Sequence, residues 1–340
     1  MDTNITDVQL LHCFEEMYHL CLLRKSETVL IFTDIHFPYP AYPTIALQAT
    51  RNFGAVGYIL MAGEAQDLQD KTIHAAWTQA DLILGMSFLP GDYSWMYTDL
   101  HNDALQAGAR VLMVQEPPDV LVRLMPTKET IGRGVSGAKL LHRAQTIRVF
   151  SPDGTDLVMS KTGRKGGYQC GFVDAPGRWD HWPSAMVHCA PLEDSTDGKL
   201  VVRPGDALVG MGLWEHARSE ISYTFEKGKI TGIEGSEDAR KVRELLQQAG
   251  DDGSYRLAHV GWGIDRRADW NHVGMDSESY YGNVTVALGR NIFNAPHEHC
   301  GLGGENRAKI HFDMCLLGKS LSLDNQLIIE QGEFKNPSLV

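Results

Sequence analysis

The chain has 340 residues, 43% hydrophobic and 22% charged, ordinary proportions for a globular protein and more length than one core usually organises. A formal net charge of -12 with no basic stripe to offset it argues against a nucleic-acid partner. The opening residues lack the basic and apolar regions of a signal peptide, and no apolar run is long enough to span a bilayer, so a cytoplasmic protein with no membrane partner is expected.

In chain order, Leu10, Leu11, Phe14, Met17 and Cys21 follow helical spacing after Thr6-Asp7, a cap sequence. β-rich runs follow at 28–33, 55–62, 81–86 and 110–115, separated by helical stretches at 44–54, 71–80 and 94–109. Short strands alternating with helices predict a parallel sheet covered on both faces. After a helical stretch ending near Gln145 the texture changes. Hairpin patterns appear at 146–160, around an Asp-Gly turn, and at 220–235, around Lys227-Gly228. Further strand-like runs lie at 199–211, 283–288 and 325–334, and one clear helix runs between Ser236 as cap and Gly250 as stop. The reading is an α/β protein in two domains: residues 1–150 with a parallel sheet, then residues 151–340 as an α+β domain with a mostly antiparallel sheet. The six cysteines (Cys13, Cys21, Cys170, Cys189, Cys300 and Cys315) include no Cys-x-x-Cys pair and read as reduced thiols.

Common catalytic signatures are missing. No GxGxxG follows the first strand, and there is neither a GxxxxGK[ST] loop nor a GxSxG elbow. The parallel sheet therefore reads as scaffold.

The stretch "RAKIHFDMCLLG" (307–318) is different. Ile310, Phe312, Met314 and Leu316 alternate with Lys309, His311, Asp313 and Cys315, so a strand here projects His311 and Asp313 from one face. Two groups do not hold a metal, and "RLAHVGWGIDRRADW" (256–270) offers His259 just before Gly261-Trp262-Gly263, where glycines allow close backbone approach. Two histidines and one carboxylate match the facial arrangement of non-haem Fe(II) oxygenases. A buried His–Asp hydrogen bond that orders the strand fits the same pattern.

"GRWDHWPSA" (177–185) packs Arg178, Trp179, Asp180, His181 and Trp182 into nine residues. Aromatic faces beside a hydrogen-bonding histidine suit a planar polar ring; a structural corner in which Trp179 and Trp182 plug the junction between domains suits it as well. A third cluster, His297-Glu298-His299, lies in a glycine-rich loop before the His311 strand and reads by itself as a solvated loop.

Taken together, "EPPDVLVRLMPT" (116–127), "GRWDHWPSA", "HVGWGIDRRADW" (259–270), "YYGN" (280–283) and "HFD" (311–313) resemble segments of the 2,5-dihydroxypyridine 5,6-dioxygenases, ring-opening enzymes of bacterial nicotinate degradation that are distantly related to aminopeptidase T-like metallopeptidases. The resemblance implies Fe(II) as cofactor, held by His259, His311 and Asp313. It also implies a small aromatic substrate and O2 as partners, His181 as the catalytic and substrate-facing histidine with Trp179 and Trp182 walling the pocket, and a homo-oligomer.

Two departures stand out. The serine that the family places near iron corresponds here to Ala287, with the His297-Glu298-His299 loop as a possible replacement. The histidine expected in the loop after the third strand is absent from "SFLPGDYSW" (87–95), leaving Asp92, Tyr93 or a residue of the inserted His297-Glu298-His299 loop as substitutes. The metallopeptidase plan needs two further glutamates, and Met186 and His259 stand at those positions. The alternative to a dioxygenase is a zinc- or manganese-dependent amide or cyclic-amide hydrolase on the same scaffold; a non-catalytic relative that binds a small aromatic is a third reading.

Overall fold

The computed structural model describes residues 5–89, 94–292 and 303–340, apart from the side chains of Ser94 and Tyr97. It separates into two compact units. Among the described residues, the first comprises those up to Thr127 together with Gln169–Ser184; the second comprises Lys128–Tyr168 and residues 185–292 and 303–340. Among the described residues the chain thus leaves the first unit after Thr127 and returns to it at Gln169–Ser184.

The first unit is built on a five-stranded parallel sheet. Its strands, in spatial order, are Val56–Ala62, Thr28–Asp34, Leu82–Met86, Arg110–Val114 and Trp179–Trp182. Leu82–Met86 and Arg110–Val114 are buried at every position, as expected of strands covered on both faces. Helix Asp7–Leu20 opens with a capping box: Thr6 accepts from the Gln9 amide and the Gln9 side chain answers to the Thr6 amide. Its buried residues include Leu10, Phe14 and Met17, which follow the predicted spacing. The predicted helix over 94–109 is broken. A 3-10 turn, Ser94–Tyr97, precedes helix Asp99–Gln106, and between them Thr98 is extended, its hydroxyl donating to the Trp95 carbonyl at 2.6 Å.

The second unit carries two sheets. One has eight strands and includes the predicted hairpins Thr146–Phe150/Asp156–Ser160 and Ile221–Glu226/Lys229–Gly235. The other has seven, in the order Leu213–His216, Ala207–Gly210, His311–Leu316, Val284–Gly289, Leu257–Gly263, Met186–Cys189, Gly167–Gln169. Neighbouring strands are antiparallel throughout the eight-stranded sheet and from Leu213–His216 to Met186–Cys189 in the seven-stranded one, so the protein is the α/β plus antiparallel α+β combination anticipated. Helix Glu237–Ala249 follows Ser236 and stops at Gly250, but the Ser236 hydroxyl makes no capping bond, because its backbone (ψ -122°) is not in the extended conformation that brings a cap to the first-turn amides. The five described cysteines form no disulfide and all are buried. Among the described residues no helix is long and apolar enough to cross a membrane.

Candidate metal centre

Three adjacent strands of the seven-stranded sheet create the site. Register pairs His259 with Ala287 and Ala287 with Asp313, while Gly289 faces His311. Directly opposed residues on neighbouring strands share a face. His259, Ala287 and Asp313 therefore stand in one row, with His311 two residues along the same strand as Asp313. Gly261 permits the close packing beside this row: a Cβ there would lie 2.0 Å from the Val187 carbonyl oxygen of the next strand.

The resulting cluster is tight and largely buried. One ligand atom from each of His259, His311 and Asp313 lies within 4.8 Å of the others, and no other group of three such side chains gathers among the described residues. His259 Nε2 is 2.9 Å from Asp313 Oδ1, and His311 Nε2 is 3.2 Å from Oδ2. The two imidazoles lie nearly parallel, their centroids 5.2 Å apart. On the far side of its ring His311 Nδ1 donates to the Arg290 carbonyl at 2.7 Å. A carbonyl can only accept, so the proton sits on Nδ1 and, in the neutral ring, the Nε2 lone pair points at the cluster.

Electrostatics follow from this crowding. Burial alone would raise the Asp313 carboxyl, but the two imidazoles hold it far below the usual carboxylate range. Burial pushes His259 down, whereas the facing carboxylate keeps His311 above its ordinary value despite burial. Asp313 Oδ1 and His259 Nδ1 are buried without a hydrogen bond, and Oδ1 meets His259 Nε2 as a 2.9 Å ion-pair contact. A buried carboxylate whose two oxygens each face an imidazole nitrogen, one of them without a hydrogen bond, leaves acceptor capacity that suits a cation. The donor set, two nitrogens and one oxygen, fits a divalent transition metal of the ferrous type.

His181 belongs to the first unit. It stands on the sheet-edge strand Trp179–Trp182, opposite Met113. Successive side chains on that strand alternate faces. Trp179 and His181 share one face, with ring centroids 5.3 Å apart and edge-on. Asp180 and Trp182 share the other. The Asp180 carboxylate accepts from the amides of Cys170 and Gly171, tying the preceding loop down so that Gln169 Nε2 lies 3.2 Å from His181 Nδ1. Trp182 does not join His181: it is buried edge-on against Phe14, and its indole N–H donates to the Leu121 carbonyl at 3.2 Å. The expectation that both tryptophans wall one pocket thus gives way to one beside the histidine and one in the core, because strand geometry places residues 179 and 182 on opposite faces.

Two histidines escaped the sequence reading. His188 lies in the second unit with its ring centroid 6.2 Å from that of His259. His101, in the first unit, packs edge-on against Trp179 at 5.8 Å; its Nδ1 donates to the Met96 carbonyl and burial lowers it to about 4, so it is a neutral ring at physiological pH. Neither lies in a patterned run that would mark it. Ala287 is fully buried between His259 and Asp313 and offers no ligand atom. Asp92, Tyr93, His297, Glu298 and His299 lie outside the described residues.

Comparison with known proteins bears on this arrangement. The family model for 2,5-dihydroxypyridine 5,6-dioxygenase matches residues 9–336. The 2,5-dihydroxypyridine 5,6-dioxygenase of Pseudomonas putida KT2440 is 27% identical, over 98% of both chains. The solved structure of 2,5-dihydroxypyridine dioxygenase from that organism superposes with a TM-score of 0.87 at 25% identity, covering 99% of this chain and 100% of that one. AmpT from Thermus thermophilus shares the fold, with a TM-score of 0.64 at 13% identity over 97% of this chain and 99% of that one. A match that runs almost from end to end, in sequence and in fold, leaves one conclusion: the chain belongs to the 2,5-dihydroxypyridine 5,6-dioxygenase family.

Proposed function

We propose that this protein is an Fe(II)-dependent dioxygenase that opens the ring of 2,5-dihydroxypyridine or a closely related hydroxylated N-heteroaromatic. The observation that carries the reading is the convergence of His259, His311 and Asp313, two imidazoles and a single carboxylate within 4.8 Å, in a chain of this family. When bound, ferrous iron would supply an electron-donating centre at which a ring hydroxyl and O2 are brought together.

The chain's own residues supply the rest. Asp313 contributes the one anionic ligand, and His311 is aimed by the Arg290 carbonyl so that its Nε2 is the donor atom. Burial of His259 favours its neutral, ligating form. His181 is assigned the proton-handling and substrate hydrogen-bonding role. With the Gln169 amide donating to Nδ1, its Nε2–H is the group that can give a proton or a hydrogen bond. Trp179 is assigned the aromatic wall beside it. The metal-holding residues all come from the 151–340 part of the chain. We further assign a cytoplasmic homo-oligomer as the working form.

The test is anaerobic reconstitution with Fe(II), followed by oxygen-electrode assay with 2,5-dihydroxypyridine. Uptake of one O2 per ring opened is expected, with no turnover under nitrogen. Turnover that proceeds without O2, in protein loaded with zinc or manganese, would replace this reading with a hydrolase.

A further inference from the structure

We propose that Asn291 and Asn306 form a positioning pair that holds both imidazoles of the metal centre in register, an inference that rests on the metal-centre reading above. Asn291 is completely buried. Its Nδ2 donates to the Ala258 carbonyl at 3.2 Å and to Glu193 Oε1 at 3.1 Å, and its Oδ1 accepts from the Asn306 amide at 2.8 Å. Asn306 Nδ2 in turn donates to the carbonyls of Gly289, at 2.6 Å, and Gly253, at 2.9 Å. Carbonyls only accept and amides only donate, so these partners fix which end of each side-chain amide is nitrogen.

What matters is which peptide units are gripped. Ala258 directly precedes His259. Gly289 is the register partner of His311, and the next residue, Arg290, presents the carbonyl that receives the His311 Nδ1 proton. Asn291 follows at once, so the peptide carrying that carbonyl is anchored on both sides. The backbone closes the same knot: the Asn291 and Ile292 amides reach the Asn306 carbonyl at 3.1 and 3.3 Å, and the Gly304 amide reaches the Asn291 carbonyl at 3.1 Å. Gly304 has to lack a side chain, because a Cβ there would lie 2.0 Å from Asn291 Cγ. Glu193 braces the pair from outside, accepting from the Glu305 amide at 2.7 Å and from Arg164 at 2.6 Å. One pair of neutral amides therefore connects the strand of His259, the carbonyl that orients His311 and the neck of the segment between them in sequence. Residues in such outer positions set ligand orientation and, with it, metal affinity.

The experiment uses the full chain and two variants, Asn306→Ser and Asn291→Asp. Asn306→Ser changes a partly exposed side chain and is expected to fold; Asn291→Asp keeps the Oδ1 acceptor and removes the donor to Ala258. Two readouts are taken. Imidazole 15N NMR on metal-free protein reports where the His311 proton resides, and competitive titration with Zn(II) reports metal affinity. Wild-type protein is expected to show His311 protonated on Nδ1. In folded variants that preference should weaken, and Zn(II) affinity should fall about 10–100-fold while the metal-free unfolding temperature of Asn306→Ser moves by only a few degrees. An unchanged His311 pattern and unchanged affinity in Asn306→Ser overturn the proposal. If wild-type protein binds no metal at all, the metal-centre reading fails, while the NMR comparison still decides whether the amide pair orients His311.

Discussion

The two units place their histidines by different means. In the antiparallel sheet of the second unit, His259, His311 and Asp313 come from neighbouring strands, and their convergence is a consequence of register. A slip of one residue would send the set to the opposite face. In the parallel sheet of the first unit, His181 sits alone on a four-residue edge strand, positioned by side-chain partners: Trp179 beside it, Gln169 at its Nδ1 and Asp180 tying down the preceding loop. A site fixed by register should tolerate no loss of a member, whereas one fixed by packing should lose activity by degrees.

The largest effect is therefore expected at Asp313, the one carboxylate of the cluster. Asp313→Asn keeps the shape and removes the charge; metal binding and oxygen uptake should fall to the level of metal-free protein, with the circular dichroism spectrum intact. The same variant has a pH signature. His311 is held above its ordinary value of about 6.5 by the Asp313 carboxylate. In the metal-free protein its contribution to stability is thus fully present below that pH and is lost as pH rises through the folded value. His259, pushed down by burial, acts the other way, losing stability as pH falls below about 6.5. Asp313→Asn should abolish the decline above neutrality. Since metal competes with the proton for Nε2, affinity in the wild type should rise over the same range. Unfolding curves and metal titrations at about pH 6 and 8 check both. A variant that retains full uptake would remove the centre from the mechanism.

Next in size is the contrast between His181 and Trp182, neighbours in sequence on opposite faces of one strand. His181→Gln should lower kcat by about 10²–10⁴-fold, the usual range for a general acid or base, with little change in unfolding temperature. Trp182→Ala should do the reverse, costing about 3–5 kcal/mol of stability as a large buried side chain is lost, while the KM of the folded fraction stays near the wild-type value. Steady-state kinetics set beside denaturant melts separate the two. A KM raised more than about tenfold in folded Trp182→Ala, a loss of some 1.4 kcal/mol in binding, would return Trp182 to the pocket.

The same contrast explains what the sequence could disclose. Strict alternation from Ile310 to Leu316 shows His311 and Asp313 on one face, because period-two patterning is local. The glycines after His259 could nominate it as a third ligand, but placing it beside His311 and Asp313 requires knowing that Leu257–Gly263 and His311–Leu316 both flank Val284–Gly289, a non-local pairing that no local pattern carries. Trp179–Trp182 was harder still. Four residues ended by a proline carry too short a pattern to read as a strand, and its parallel partner, Arg110–Val114, lies more than sixty residues earlier. The motif was therefore visible while its two faces were not, and Trp182 was grouped with the histidine it points away from. Asn291 and Asn306 illustrate the same limit, since neither carries any signal until the strands around them are in place.

The smallest effect tests how much room register has left inside the centre. Ala287 occupies the middle of the His259–Ala287–Asp313 row and is fully buried. Ala287→Ser adds one oxygen on the face that holds the cluster. Because Asp313 Oδ1 is buried without a hydrogen bond, the new hydroxyl has an acceptor within its row and need not be left unsatisfied. Metal-free stability should then change by no more than about 1 kcal/mol, and Zn(II) affinity should shift by less than tenfold. Isothermal titration and denaturant melts suffice to measure both. A loss above about 2 kcal/mol would mean that the three strands pack too closely for a hydroxyl. In that case the alanine would be part of how this chain closes its site, and the register that assembles the ligands would also limit what can stand between them.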